Sequence, residues 1–276
     1  MTDQAVLITG CSSGIGLCTA QGLKARGYRV FATARKQQDV EKLKDLGLES
    51  CRLDLADPAS IREAVSEVLE ATSGQLYGLF NNGAYGQPGA VEDLTREALR
   101  EQFETNLFGT HELTTLIIPV MRAQEQGRII QNSSVLGFAA MPFRGAYIAS
   151  KFALEGLTDT LRMELQGSGV HVSIIEPGPI LSRFRDNAYA MFQKHIEPAD
   201  SVHRHRYEAM EARLQKEGPA QPFTLGPEAV LEKVVHALEA RRPKVRYYVT
   251  FPTYLFGGLK RVLPDRLLDT ILRRIS

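Results

Sequence analysis

The chain has only three cysteines, Cys11, Cys18 and Cys51, scattered without metal-ligand spacing. That usage fits a reduced, cytosolic compartment and argues against a disulfide framework. His195, His203 and His205 tempt a metal reading, but no Cys or carboxylate cluster of zinc-like spacing accompanies them, so no metal is expected and a solvated surface is the better account. No apolar run reaches the roughly eighteen residues that a membrane span needs. No basic stretch precedes the apolar Ala5-Val-Leu-Ile8, so no signal peptide is expected. Lysine and arginine number 33 against 32 acidic residues, a formal net charge of +1, which leaves no global argument for a nucleic-acid partner. Internal repeats and low-complexity segments are absent.

What is present is alternation. The 276 residues, 43% hydrophobic and 24% charged, are enough to bury one large core. Short β-branched runs at 5–9, 29–34, 49–53, 76–81, 128–132, 170–176 and 245–249 alternate with helical periodicity at 14–26, 40–46, 58–71, 97–122, 146–166 and 227–240. Strand and helix repeated this often predict an α/β fold, a doubly wound parallel sheet of seven strands with helices on both faces, in a single domain. Asp57-Pro58 and Gly226-Pro227-Glu228 read as helix starts, and Gly27, Gly47, Gly127 and Gly169 as left-handed helix ends. The polar segment 183–225 is inserted after the sixth strand, where long insertions form lids over a substrate.

The run Thr9-Gly10-Cys-Ser12-Ser13-Gly14-Ile15-Gly16 stands between the first strand and the first helix. Gly10 permits a tight turn, Gly14 lets the main chain approach a pyrophosphate, and Gly16 lets helix pack on strand, so the helix N-terminus faces an anion. The spacing is Gly-x3-Gly-x-Gly rather than Gly-x-Gly-x-x-Gly. Cys11 within it is read as a space-filler. The second strand ends at Ala34-Arg35-Lys36, with two cations and no carboxylate where a ribose 2′-hydroxyl would seek an acid. A guanidinium there suits a 2′-phosphate, which predicts NADP(H), with Arg35 the main determinant and Lys36 secondary.

Tyr147 and Lys151 are four residues apart, with Ser134 upstream. On a helix that spacing puts phenol and ammonium on one face, about 6 Å apart at Cβ. The expected effect of a neighbouring cation is to favour the phenolate and ready the tyrosine for proton transfer.

These motifs resemble the short-chain dehydrogenase/reductase family over about 5–249. Thr-Gly-x-x-x-Gly-x-Gly matches Thr9 to Gly16, the aspartate after the third strand matches Asp54, and the helix asparagine matches Asn106. Ser134, Tyr147 and Lys151 match the catalytic set, and Pro177-Gly178 the turn after the sixth strand. The segment from Ser150 to Leu157 resembles the branch with 17β-hydroxysteroid and retinol dehydrogenases and related bacterial NADP-dependent oxidoreductases. The resemblance implies a Rossmann sheet and a hydride-transfer enzyme. Tyr147 would be the general acid, Lys151 would lower its pKa and reach the cofactor ribose, and Ser134 (rather than Ser133) would bind the substrate oxygen. Asn106 would hold a water beside Lys151. Around the cofactor it implies Gly10, Ser12, Ser13, Gly14, Ile15, Gly16, Asp54, Leu55, Asn81, Asn82, Gly83, Pro177, Gly178, Ile180 and Ser182 in addition to Tyr147 and Lys151.

Two positions depart from the pattern. Asn81-Asn82-Gly83-Ala84 transposes the usual Asn-Asn-Ala-Gly, with Gly86 as a source of compensating flexibility, and Ser182 replaces a threonine. Val135, Leu136, Phe138, Met141, Pro142, Phe143, Ile180, Leu181 and Phe184 could line an apolar pocket, favouring a lipophilic aldehyde, ketone or alcohol. A β-ketoacyl thioester reductase with an acidic carrier partner and a non-catalytic NADPH-binding regulator are the rival readings. The basic, amphipathic extension 250–276 suits a cap on the pocket, a subunit contact or a membrane-surface element. The two long helices, 97–122 and 146–166, suit a homodimer or homotetramer, as in the family.

Overall fold

Successive residues of a strand point to opposite faces of a sheet, and the first strand, β1 (Ala5–Ile8), is buried on both. Val6 and Ile8 join one apolar cluster with Leu23, Val230 and Val234, whereas Ala5 and Leu7 join another with Ile61, Val65, Leu113 and Ile117. Burial on both faces requires a helix layer on each side. The computed structural model, which describes residues 4–219 and 221–275, has those layers. On one side lie α1 (Gly14–Ala25), α2 (Gln37–Asp45) and α9 (Glu228–Glu239), and on the other α3 (Pro58–Ala71), α5 (Thr110–Ala123) and α6 (Gly145–Glu164).

The other strands are β2 (Arg29–Ala34), β3 (Glu49–Arg52), β4 (Gly78–Asn81), β5 (Gly127–Asn132), β6 (Val170–Glu176) and β7 (Arg246–Tyr248). All pairings are parallel, in the order β3-β2-β1-β4-β5-β6-β7. The expected doubly wound seven-stranded sheet is therefore the fold. Chain direction across the sheet reverses between β1 and β4, which opens a crevice at the carboxyl ends of the strands.

Several local expectations shift. Asp57 does cap α3, accepting from Ala59 and Ser60 N–H at 3.0 and 3.3 Å. Gly127 is not a left-handed helix end: it opens β5, Glu125 takes the left-handed conformation with φ 51°, and a Cβ on Gly127 would lie 2.5 Å from Met121 sulfur. The long helix expected over 97–122 is α4 (Arg96–Phe103) and α5, joined by a π-helical turn at Glu104–Gly109. Gly109 explains the close fit there, since a Cβ would come within 1.8 Å of the Leu55 carbonyl oxygen.

The segment 183–225 holds two helices, α7 (Phe184–His195) and α8 (Arg204–Gln215). They make a small core of their own, with Ala188, Phe192, Tyr207, Met210 and Leu214 packed on Ala90, Leu94 and Phe143. The extension after β7 folds as α10 (Phe251–Val262) and α11 (Asp265–Ile275). Phe256, Leu268 and Leu272 pack on Val135 and Ala139, directly after Ser134, and Lys260 donates to the Phe138 carbonyl at 2.6 Å. No helix among the described residues is long and apolar enough to cross a membrane.

Candidate active site

A cleft of about 420 Å³ runs from the β1–α1 loop, past the ends of β4, β5 and β6, to the helices of 183–225. Its first wall is the glycine loop. Gly10 and Gly14 have φ of 71° and 57°, conformations that side chains rarely adopt. A Cβ on Gly10 would meet Gly83 Cα at 2.7 Å, and one on Gly14 would meet Ser182 Cβ at 2.8 Å. The N-terminus of α1 has no side-chain cap and no acidic residue in its first turn, so its free N–H groups and positive dipole end suit a phosphate. Ser12, Ser13 and Ile15 line the same wall. Gly16 instead packs against the turn, where a Cβ would lie 2.3 Å from the Gly10 oxygen.

The transposed Asn-Asn-Gly-Ala turn is held by Thr9, whose hydroxyl accepts from Asn82 and Gly83 N–H at 2.9 and 2.8 Å. Gly86 does not supply flexibility: it is small because Phe184 presses on it, 2.8 Å from where a Cβ would be. That brings the Phe184 ring edge-on to Tyr147, with centroids 5.3 Å apart.

At the centre, the Ser134 side chain is close enough to Tyr147 to hold the phenol down against burial, and Ser134 Oγ accepts from Leu136 N–H at 3.1 Å. The Ser133 hydroxyl is buried and makes no hydrogen bond among the described residues, which separates the two serines. Lys151, only 3% exposed, places its ammonium 5.7 Å from the Tyr147 ring centre and donates to the Asn132 carbonyl at 2.7 Å. The lysine does not leave the phenol acidified. Burial pushes Tyr147 up to about 12, opposed by the Ser134 side chain, and burial pushes Lys151 down to about 8, opposed by Glu155. Desolvation disfavours both charged forms.

Asn106 lies at 1% exposure in the π-helical turn. Its amide accepts from Tyr85 N–H at 3.1 Å and donates to the Tyr85 carbonyl and Ser150 Oγ at 2.9 and 3.1 Å. These bonds anchor the amide to the Tyr85 loop and to the residue beside Lys151.

Asn132 was not singled out by the sequence. Its amide donates to Asn82 Oδ1 at 2.9 Å, and Asn82 donates to the Thr9 and Gly10 carbonyls at 3.0 and 3.2 Å. A continuous chain of polar contacts thus joins the glycine loop to Lys151. Only its position at the carboxyl end of β5, two residues before Ser134, could have marked it.

Asn82, Gly83, Pro177, Gly178, Ile180 and Ser182 line the cleft as expected. Asn81 does not: its amide donates to Thr114 Oγ1 at 2.8 Å and fastens β4 to α5. Leu55 is buried against Gly83 and Gly109, and Asp54 accepts from Ala56 N–H at 3.1 Å in a local turn. Arg35 and Lys36 are exposed after β2, and among the described residues neither makes an ion pair. Of the apolar set, Val135, Leu136, Met141, Phe143, Ile180, Leu181 and Phe184 line the cleft. Phe138 stacks on Tyr248 at 5.7 Å, and Pro142 faces α11 beside Arg266 and Asp269. Cys11 is buried, its thiol pushed up to about 12 by burial. His195 and His203 face Glu101 and Glu92 at 3.1 and 2.5 Å, and His205 is exposed.

The profile of the short chain dehydrogenase family matches residues 4–192. The uncharacterized oxidoreductase YbbO of Escherichia coli strain K12 is 44% identical over 98% of this chain and 94% of its own length. Human 17-beta-hydroxysteroid dehydrogenase type 1 is 33% identical over 91% of this chain and 78% of its own. Among solved structures, an actinorhodin polyketide ketoreductase variant with NADPH superposes with a TM-score of 0.72 at 26% identity, covering 90% of this chain and 95% of that one.

Proposed function

The chain belongs to the short-chain dehydrogenase/reductase family, and from that premise we propose an NADP(H)-dependent oxidoreductase that interconverts a lipophilic aldehyde or ketone with its alcohol, Tyr147 serving as general acid and base. The observation that carries this reading is the convergence of Ser134, Tyr147 and Lys151 on one wall of a cleft whose other end is the uncapped N-terminus of α1.

The residues fit the cofactor. Gly10 and Gly14 make the left-handed turn that brings the loop against Gly83 and Ser182, where a Cβ would clash, and the free N–H groups of α1 suit its pyrophosphate. Arg35 and Lys36, uncommitted at the end of β2, suit a 2′-phosphate, and the ketoreductase of similar fold was crystallised with NADPH. NADP(H), when bound, supplies the hydride. Ser134 Oγ, placed by the Leu136 N–H and in contact with the phenol, orients the carbonyl oxygen and stabilises its developing charge. Tyr147 donates the proton to that oxygen. Lys151, fixed by Asn132, offers positive charge to the phenolate left behind. The apolar lining supports a lipophilic substrate, and α7 and α8 serve as its lid. Pairing through α4–α5 and α6 into a homodimer or homotetramer, in the cytoplasm, completes the proposal.

The test is a titration with NADPH and NADH, followed by turnover of aliphatic and aromatic aldehydes, retinal and a ketosteroid. Tighter NADPH binding and reduction of at least one apolar carbonyl are expected. Equal or tighter NADH binding removes the cofactor assignment, and turnover restricted to acyl-carrier thioesters replaces the substrate class.

A further inference from the structure

The cleft continues past Tyr147 to the lid helices, and there its chemistry changes. Five cations line it, Arg144, Lys151, Arg183, Arg185 and Arg213, and among the described lining residues there is no aspartate or glutamate. Three of the five have employment. Lys151 is held by Asn132, and Arg183 lies 3.8 Å from Asp186. Arg185 donates to the carbonyls of Arg213 and Lys216 at 3.2 and 2.5 Å, and to that of Gly218, closing the end of α8.

Arg144 and Arg213 do not have such partners. Among the described residues, the one hydrogen-bond partner of the Arg144 side chain is Met141 sulfur, 2.9 Å from Nη1. The Arg213 guanidinium makes no hydrogen bond or ion pair among the described residues. Each is partly buried, and the two repel: burial and the Arg213 charge push Arg144 down to about 9, and burial with the Arg185 charge pushes Arg213 down. Withdrawing guanidinium groups from water beside one another is unfavourable unless an anion joins them. Arg144 also immediately precedes α6, whose first turn has neither an acidic residue nor a side-chain cap, so the helix end adds to the positive potential. The same lining carries the apolar side chains of Met141, Phe143, Met210 and Leu214.

We propose that the substrate is an anionic amphiphile: its apolar body lies along Met141, Phe143, Met210 and Leu214, and a carboxylate, sulfonate or phosphate monoester is received by Arg144 and Arg213. This rests on the reductase reading above and names the substrate class within it. A planar guanidinium meets any of these oxyanions through two parallel hydrogen bonds, so the shared chemistry is a tetrahedral or planar oxyanion at a distance from the reacting carbonyl.

The experiment compares ω-oxododecanoic acid, its methyl ester, ω-oxododecyl phosphate and dodecanal as substrates with NADPH. Alongside, the binding of dodecanoate, dodecyl phosphate and dodecanol is measured by calorimetry. The wild type should favour an acid over the ester by roughly tenfold or more in kcat/KM, mainly through KM, as expected for charge-assisted contacts. The acid and phosphate arms identify which oxyanion fits. Arg213→Gln and Arg144→Gln should each shrink the acid-to-ester ratio toward one while NADPH still binds. Reduction of dodecanal with no preference for either acid overturns the anion site and leaves the reductase reading intact. Binding of dodecanoate or dodecyl phosphate well above dodecanol, with no aldehyde reduced, upholds the anion site and overturns the reductase reading.

Discussion

Asn132 holds Lys151 from its backbone and the glycine loop from its side chain. Its carbonyl accepts the ammonium at 2.7 Å, while its amide donates to Asn82 at 2.9 Å. One residue at the end of β5 thereby couples Lys151 to the glycine loop.

Asn132→Ala keeps the carbonyl and removes only the amide, leaving Asn82 Oδ1 without its donor. Orphaning a polar group withdrawn from water costs about 1–3 kcal/mol, and if the loosened turn passes that cost to binding, NADPH affinity should weaken by roughly 5- to 150-fold. Fluorescence titration with NADPH measures this, and an unchanged Kd means that the coupling is ornamental.

Tyr147→Phe should still bind NADPH and lose about 10²- to 10⁴-fold in turnover, the range for a positioned acid or base. Ser134→Ala should likewise fall sharply, whereas Ser133→Ala, which removes a buried hydroxyl that makes no hydrogen bond among the described residues, should retain most of the rate. Single-turnover kinetics on the three variants provides the ranking; a Ser133 variant slower than the Ser134 variant reverses their roles.

Gly86→Ala places a methyl 2.8 Å from the Phe184 ring and 3.6 Å from the Tyr147 ring. Phe184 must move, and with it the wall beside the phenol. The expected result is a lower kcat and a higher KM for apolar carbonyls at little cost to Tm, since the strain is relieved at the cleft rather than in the core. Steady-state kinetics and thermal melting together decide it: normal kinetics would show that the packing of Phe184 on Tyr147 is incidental.

Stability should fall as pH rises from about 4.5 to about 8. Arg246 on β7 is shared by Glu155 and Asp159 of α6 and by Glu176, which is 1% exposed at the end of β6. Burial, reinforced by the Glu155 charge, pushes Glu176 up from 4.5 to about 8, against the pull of Arg246, and Glu155 is raised as well. The folded protein therefore binds more protons than the unfolded chain within that window, and each such group contributes a slope of up to about 1.4 kcal/mol per pH unit. Urea titrations at several pH values should show the decline in the wild type and a flatter profile in Glu176→Gln. A stability that rises through the window in the wild type sinks the argument.

The strands were legible because two-sided burial makes them continuous apolar runs, and the glycine loop because its spacing is dictated by backbone clearance. Helices α7 and α8 were harder to see. Tyr207, Met210 and Leu214 form a narrow apolar stripe on an otherwise charged α8, and their partners, Ala90 and Phe143, come from distant loops. Asn81 and Asn82 look equivalent in sequence, yet strand alternation sends the first to Thr114 and the second to the crevice. The perturbed state of Tyr147 and Lys151 was likewise out of reach, because spacing along a helix records proximity but not desolvation.

Helices α10 and α11, which brace Val135 and Ala139 next to Ser134, follow every strand of the sheet in the chain. The pairing of the strands makes no use of this brace, so closure of the serine loop depends on a segment that the sheet itself does not need.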